Sequence, residues 1–260
     1  MKKFSDHMID IQHHGYTKLT SVYTNELINK IKEEFHQNHE LFVNIQKKKN
    51  IYNEVKDTTH HTFILCRTML RLLERNSLLE FLDQYFENQK FILNTMGLSM
   101  LKPNSKIYTQ AIHRDVRSFT GADKLWINTL IMLDNSTKEN GATWILEGSH
   151  LRSSKPSEEE FWNSAIQVEG EIGDVLIFHG NTWHCAGQNK SKSTRHIITP
   201  FFSRPFIKQQ LDYPRALGLD FGNTLSDDLR QILGYNSMTP ATLDEFYQTT
   251  ENRFYKKDQG

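Results

Sequence analysis

The chain has 260 residues, which is within the size range of one large domain, and its 31 Lys and Arg residues balance its 31 Asp and Glu residues. This zero net charge, without a long block of one sign, argues against a nucleic-acid or membrane partner and favours small molecules. Two cysteines are too few for a disulfide framework, and no apolar run approaches the roughly 18 residues that cross a bilayer. We therefore expect a cytoplasmic protein without a secretion signal.

The first third of the chain, residues 1–90, is expected to be mainly helical. After a short strand that begins at Gly15, apolar residues recur with helical spacing from Leu27 to Leu41 and again from Thr62 to Phe86. Ser77, followed by Glu80 three residues later, is a capping-box signature, so a further helix is predicted to begin there. These helices are expected to support a sheet rather than to carry chemistry.

The histidines of this helical region are predicted to be solvated side chains rather than metal ligands. His36 and His39 lie among Lys, Glu and Gln on the predicted helix. The adjacent pairs His13–His14 and His60–His61 point to opposite sides of an extended chain, so neither pair is suited to chelate an ion as a unit.

From Phe91 the pattern changes to strand-length segments separated by Gly, Pro, Asn and Ser turns. The predicted strands are Phe91 to Leu101, Ile107 to Asp115, Lys124 to Leu133, Ala142 to Leu146, Ile166 to Glu171, Val175 to Phe178 and His196 to Phe202. Short strands of this kind are typical of a sandwich or barrel, and the jelly roll is the version that brings distant strands to one mouth.

Residues 206–260 have a looser pattern. Helix-start signals predict short helices from Asp227 to Leu233 and from Leu243 to Tyr247. This tail is expected either to cap the domain or to form part of a partner surface, such as that of a homodimer.

The candidate chemistry lies in two stretches that are far apart in sequence, around His113 and around His184. On an extended strand, His113 and Asp115 point to the same face, so both can reach one metal ion. His184 would complete a set of two histidines and one carboxylate, which leaves the other half of an octahedral metal open, as in non-haem Fe(II) oxygenases.

An isolated His-x-Asp is more often a surface strand, so the interpretation depends on the spacing. His184 follows Asp115 by 69 residues, and Arg195 follows His184 by 11. A guanidinium at that position can serve a chemical purpose. 2-Oxoglutarate chelates iron through its keto-acid end, and its second carboxylate can be bound bidentately by the planar guanidinium. The alternative for Arg195 is an ordinary surface ion pair.

Further motifs follow one another along most of the chain, from about Gly15 to about Pro214. They are Asn94-Thr-Met-Gly, Leu101-Lys-Pro-Asn-Ser, His113-Arg-Asp, Asn140-Gly-Ala-Thr, Glu147-Gly-Ser-His, Gly173-Asp-Val-Leu-Ile-Phe-His-Gly, Trp183-His and Arg195. In this order they resemble the phytanoyl-CoA dioxygenase family, and the chain looks like a small bacterial-type member.

The resemblance implies one Fe(II)/2-oxoglutarate oxygenase domain over residues 1–260. Its core, residues 91–205, would be a double-stranded β-helix (a cupin-like jelly roll), flanked by N-terminal helices and a short helical tail. It also implies Fe(II), 2-oxoglutarate and O2 as cofactor and cosubstrates. His113, Asp115 and His184 would hold the metal, and Arg195 would bind 2-oxoglutarate.

Other positions are assigned only by the resemblance. Gln110 and Thr143 match residues with which relatives bind 2-oxoglutarate, the alternative being turn or strand hydrogen bonds. Position 186 is Ala where some relatives have a Ser that holds the cosubstrate, which puts those contacts in doubt. His179 stands where relatives often have Asp and is kept out of the metal site. Trp126 and Trp183 are expected either to line the pocket or to belong to the core.

The expected reaction is hydroxylation, or another oxidation, of a small-molecule metabolite, with release of succinate and CO2. Related halogenases replace the carboxylate ligand with a small residue, so Asp115 disfavours halogenation. Two alternatives stay open: a cupin-like metal protein without oxygenase activity, such as a sugar isomerase or a sensor, and a structural or interaction module. Arg195 disfavours the first and the complete triad disfavours the second. No basic cluster suggests a CoA site, so an intermediate of natural-product, antibiotic or sugar metabolism is expected as substrate.

Overall fold

The computed structural model describes residues 2–253, over which short helices surround two β-sheets. The helices are α1 (Phe4–His14), α2 (Asn25–Lys48), α3 (Ser77–Tyr85), α4 (Glu158–Ser164), α5 (Tyr213–Leu217), α6 (Leu219–Gly222), α7 (Asp227–Ile232) and α8 (Leu243–Phe246). The strands are β1 (Tyr16–Leu19), β2 (Thr58–His60), β3 (Ile92–Leu101), β4 (Trp126–Met132), β5 (Thr143–Ile145), β6 (Ile166–Val168), β7 (Val175–His179), β8 (His184–Cys185) and β9 (Arg195–Ser203).

Both sheets are antiparallel. The larger has six strands in the order β1-β7-β4-β9-β3-β2, and the smaller has three in the order β6-β5-β8. Neighbouring strands come from distant parts of the chain, for example β3 beside β9 and β4 beside both β7 and β9. The prediction of a mixed fold of helices and β-sheets is confirmed, and the sheets are antiparallel.

Side-chain alternation gives the six-stranded sheet two buried faces. On β4, Ile127 and Ile131 belong to the large apolar cluster that the helices share with the sheet. The intervening Leu130 and Met132 instead join a smaller cluster that also includes Ile145 of the three-stranded sheet. The second face of the large sheet is therefore the one that meets the small sheet.

The N-terminal helices pack on the first face, as the periodicity predicts. Ile28, Ile31 and Phe35 of α2 are fully buried. The segment from Thr62 to Leu73 is not α-helical, because it forms two 3₁₀ helices, and α3 then begins at Ser77 as expected. The N-cap of α3 is Asn76, whose Oδ1 accepts hydrogen bonds from the backbone of the first turn.

The prediction of a continuous strand from Ile107 to Asp115 is wrong. Residues Tyr108–Gln110 form a 3₁₀ turn, and the Gln110 side chain accepts a hydrogen bond from Ile107 N at 3.0 Å. This local bond offers the backbone an alternative to a strand ladder. Only His113 still pairs with a strand, through an isolated bridge to His184.

Both short helices predicted in the C-terminal region are present within residues 206–253, and the remainder of the predicted tail, 254–260, lies outside the described residues. Ser226 and Thr242 accept N-cap hydrogen bonds at the starts of α7 and α8. Strand β2, at the edge of the large sheet, was not predicted, because three residues are too short to show an alternating pattern. No helix in residues 2–253 combines the length and apolar character needed to cross a membrane.

Candidate metal centre

Backbone pairing brings the two candidate stretches together. His113 N donates to His184 O at 3.0 Å, and His184 N donates to His113 O at 2.9 Å. Residues paired directly in this way project their side chains to the same side, and the two imidazole centroids are 4.3 Å apart. The segment after the 3₁₀ turn thus carries His113 to the short strand β8.

The third candidate ligand lies beside this pair. Asp115 Oδ1 is 3.8 Å from His113 Nε2, and Asp115 Oδ2 is 3.6 Å from His184 Nε2. One possible ligand atom from each residue lies within 4.8 Å of the others. A single ion between them would have two nitrogen ligands and one oxygen ligand, which is the donor set that non-haem iron sites use.

Both imidazoles present the nitrogen that a metal needs. His113 Nδ1 donates to Ala111 O at 2.7 Å, and His184 Nδ1 donates to Thr182 O at 2.9 Å. These bonds fix the tautomer, so each Nε2 is an unprotonated acceptor. Burial, together with the neighbouring imidazole, lowers the pKa of His184 to about 4, which keeps the ring neutral at physiological pH.

Asn128 of β4 holds the carboxylate. Its Nδ2 donates to Asp115 Oδ2, while its Oδ1 is buried and has no hydrogen-bond partner within residues 2–253. Because the backbone around Asp115 belongs to no strand, this side-chain bond is what ties the carboxylate to the rigid sheet. Sequence spacing gave no signal for it, since Asn128 reads as an ordinary inward residue of a strand.

The triad opens into a cavity of about 230 Å³ between the two sheets. Side chains of both sheets line it, including Thr143 of β5 and Ile197 of β9. Leu130 and Phe178 form part of the apolar wall, and the Phe178 ring is tilted against His184 with 4.6 Å between the ring centroids.

Arg195 is buried in the protein interior rather than exposed on the surface. It is 2% exposed and stands two residues before Ile197, on the same face of β9, although it does not itself line the cavity. Within the described part of the chain it forms no ion pair, its Nε has no partner, and its Nη1 makes only a long 3.5 Å bond to Ser136 Oγ. Burial lowers its pKa to about 10, so the guanidinium is still charged at neutral pH.

The two positions assigned by resemblance alone differ in placement. Thr143 is buried and lines the cavity. Gln110 does not line it, because its amide bridges two backbone segments, accepting from Ile107 N and donating to Gly187 O at 3.2 Å. Ala186, where some relatives have Ser, is also on the cavity wall.

The other candidate side chains lie outside the cavity wall. His179 accepts from Asn181 N at 3.1 Å, and burial lowers its pKa to about 4. Trp126 stacks on Phe201, and Trp183 lies under the guanidinium of Arg114, 5.3 Å from the ring. Neither tryptophan lines the pocket.

The cavity residues that the sequence interpretation did not identify include His60 of β2, Tyr108 of the 3₁₀ turn and Gln210 after β9. His60 is exposed, as the sequence predicts, but it also lines the cavity. Recognising β2 as an edge strand would have placed His60 near the site, but a strand of three residues is too short to show an alternating pattern.

Comparisons with known proteins identify relatives of this chain. An uncharacterised protein of Mycobacterium tuberculosis is 34% identical over 154 residues, covering 59% of this chain and 56% of that protein. An iron/alpha-ketoglutarate-dependent dioxygenase of Aspergillus calidoustus is 26% identical over 160 residues, covering 57% and 52%. The matches thus span about half the length of these curated relatives.

A solved structure shows the same fold. The epimerase SnoN, in complex with Fe3+, alpha ketoglutarate and nogalamycin RO, superposes with a TM-score of 0.61 at 16% identity, covering 77% of this chain and 83% of that one. Residues 11–197 match the phytanoyl-CoA dioxygenase (PhyH) family. The match covers well over half of the chain, so the resemblance seen in the motifs is confirmed and the protein belongs to the phytanoyl-CoA dioxygenase family.

Proposed function

We propose that the protein is a non-haem Fe(II)- and 2-oxoglutarate-dependent dioxygenase that hydroxylates a small-molecule metabolite, with release of succinate and CO2. The observation that carries the proposal is the cluster of His113, Asp115 and His184, whose possible ligand atoms lie within 4.8 Å of one another with both Nε2 atoms free. Membership of the family and the named activities of relatives support it.

The donor set fits the group that the family implies. Two imidazoles and one carboxylate suit Fe(II) and leave positions open for other ligands. When bound, Fe(II) with 2-oxoglutarate supplies the activation of O2 and the coupling of cosubstrate oxidation to oxidation of a substrate C–H bond. The residues of the chain then have to bind the cosubstrate, orient the metal ligands and exclude water.

Each of these tasks has a candidate residue. Asn128 orients the Asp115 carboxylate through its Nδ2. Arg195 binds the distal carboxylate of 2-oxoglutarate, because a buried guanidinium without an anion is costly until an anionic ligand compensates it. Thr143 donates a hydrogen bond to the same cosubstrate from the cavity wall, whereas Gln110 contributes indirectly by joining the turn to the backbone at Gly187.

The fold and surroundings fit the same proposal. We take the two facing antiparallel sheets as a double-stranded β-helix in a single oxygenase domain over residues 1–260. Its expected partner is a small-molecule substrate in the cytoplasm. The alternative of a cupin-like metal protein without oxygenase activity does not explain why Arg195 is buried without an ionic partner within residues 2–253.

The test is the iron content of the purified protein and its dependence on His184. We expect one Fe(II) per chain after anaerobic loading, and 2-oxoglutarate-dependent succinate formation. His184→Ala should lose both, because only two ligands remain. His179→Ala, which removes a buried imidazole outside the triad, should retain iron. Full iron content and full activity in His184→Ala would refute the assignment.

A further inference from the structure

One side of the cavity is formed by three side chains that the triad and the 2-oxoglutarate residues do not use. They are His60 of the edge strand β2, Tyr108 of the 3₁₀ turn and Gln210 after β9. The Tyr108 hydroxyl is 3.2 Å from His60 Nε2, so β2 and the turn are joined at this point. Gln210 follows Tyr108 by 102 residues in the chain, and folding brings both to the same cavity.

His60 retains a free hydrogen-bonding atom. Its Nε2 is engaged by Tyr108, but its Nδ1 has no partner within residues 2–253. The imidazole is accessible from the cavity, and the surrounding protein on its other sides lowers its pKa below the ordinary value through burial. The ring is therefore a neutral donor or acceptor rather than a cation.

Gly97 makes room beside this imidazole. Strand register places His60, Gly97 and Thr199 in one row across β2, β3 and β9. A Cβ at Gly97 would lie 3.2 Å from Thr199 Oγ1 and 3.6 Å from His60 Nδ1. The missing side chain thus leaves a space with an imidazole on one side and a hydroxyl on the other.

Among residues 2–253, Asp115 is the only acidic or basic side chain in the cavity wall apart from the histidines. The other polar groups are neutral, and most are hydroxyls or amides: Thr58, Thr95, Ser99, Tyr108, Thr109, Asn128, Thr143, Thr199 and Gln210. The remaining wall is apolar, with Leu98, Leu130, Phe178, Ile197 and Phe201. A phosphate, a carboxylate or an ammonium on the substrate would find no counter-charge in this wall, and desolvating such a group without one is unfavourable.

We propose that His60, Tyr108 and Thr199 form the recognition site for the primary substrate, and that this substrate is an uncharged molecule bearing hydroxyl or carbonyl groups. The inference rests on the proposed oxygenase function of the same cavity. Hydroxyls both donate and accept, which matches the wall, and the apolar residues cover the carbon skeleton. Acyl-CoA and phosphorylated substrates are excluded by the same wall.

The experiment uses a small-molecule extract of the organism that encodes the chain, separated by ion exchange into neutral, anionic and cationic pools. Succinate release by the iron-loaded full chain is measured with each pool, above the rate with 2-oxoglutarate alone. We expect the neutral pool to stimulate release. Stimulation confined to the anionic or the cationic pool would overturn the proposal.

Variants then test the residues. In His60→Phe and Tyr108→Phe, the amount of neutral pool needed for half-maximal stimulation should rise about tenfold, as expected for the loss of one hydrogen bond to the substrate. His60→Gln keeps a donor for Tyr108 and should lose less. The matched controls are His13→Phe, at an exposed histidine at the end of α1, and Tyr52→Phe, neither of which lines the cavity.

Two readouts separate this inference from the proposed function. Iron content and calorimetric 2-oxoglutarate affinity should be unchanged in His60→Phe and Tyr108→Phe, and failure of the unmodified protein to bind either would refute the oxygenase proposal instead. If His60→Phe and Tyr108→Phe respond to the neutral pool as the His13→Phe and Tyr52→Phe controls do, recognition by this pair is refuted.

Discussion

Arg195 is the residue whose surroundings most clearly call for an anionic ligand. A guanidinium is normally paired when it is buried, yet within the described chain Arg195 has only the long contact to Ser136. A bound carboxylate would supply the missing acceptors for the planar fork, with two parallel N–H···O bonds.

Arg195→Lys should therefore weaken 2-oxoglutarate binding by on the order of 2–5 kcal/mol, because an ammonium keeps the charge but loses the bidentate geometry. Calorimetric titration of the metal-loaded protein measures this. Arg204→Lys is the matched control, because Arg204 lies over Phe86 outside the cavity. An unchanged affinity in Arg195→Lys would remove the role from this residue.

Asn128 determines the position of the carboxylate ligand. Within residues 2–253, its amide is the only side-chain donor that ties Asp115 to the sheet, and Asp115 itself lies outside regular structure. Hydrogen bonds of this kind orient a ligand before the metal arrives.

Asn128→Ala should lower the affinity for Fe(II) by about 10- to 100-fold. Anaerobic metal titration gives this constant. Asn94→Ala, at a buried Asn of β3 that bonds Ser203 outside the cavity, should cost stability without changing metal affinity. Equal metal affinities in the two variants would show that Asp115 needs no support from Asn128.

At the scale of elements, the turn between β6 and β7 is docked on the segment that precedes α2. Gly173 has φ +86°, and its carbonyl accepts hydrogen bonds from Val22 N and Tyr23 N. A Cβ at Gly173 would lie 2.1 Å from Tyr23 O, a backbone atom that has little freedom to move. This contact connects the N-terminal helices to the sheet strand that carries Phe178.

Gly173→Ala should consequently lower the free energy of unfolding by roughly 2–4 kcal/mol, from backbone strain together with overpacking. Gly121→Ala is a matched control: Gly121 also has a positive φ, of +59°, but no atom lies within 4 Å of its added Cβ. It should lose about 1 kcal/mol. Equal losses by urea denaturation would show that the contact with Tyr23 is not tight.

At the scale of the whole molecule, the candidate triad lines a cavity between the two sheets. Under the proposed function, the three protein ligands and a bidentate 2-oxoglutarate would occupy five of the six positions of an octahedral metal. One position would stay open for O2 and none would be left for a halide. The proposal therefore predicts oxygen insertion rather than halogen transfer.

With the substrate pool that stimulates succinate release, the product should gain oxygen from O2 and no chlorine. Mass spectrometry of products formed under labelled O2, in buffer that contains chloride, measures this directly. A chlorinated product, or turnover that needs no 2-oxoglutarate, would contradict the predicted outcome. Omission of 2-oxoglutarate is the control, since oxidation should then stop.

The sequence by itself determined which side chains we propose for the metal and cosubstrate sites. His113, Asp115, His184 and Arg195 are recognisable because their residue types and spacing are those that the chemistry needs, and the family match confirmed the resemblance that they suggested. Amphipathic spacing also predicted α2, and capping residues predicted α7 and α8, because these signals are local.

The tertiary structure alone decided how these side chains meet. The assumed strand before Asp115 is a turn, and His113 reaches His184 through one backbone bridge instead. His60 is exposed, as the sequence predicted, and it also lines the cavity because an edge strand of three residues places it there. Such placements depend on hydrogen bonds between segments far apart in the chain, which leave no periodic trace in the sequence of either segment.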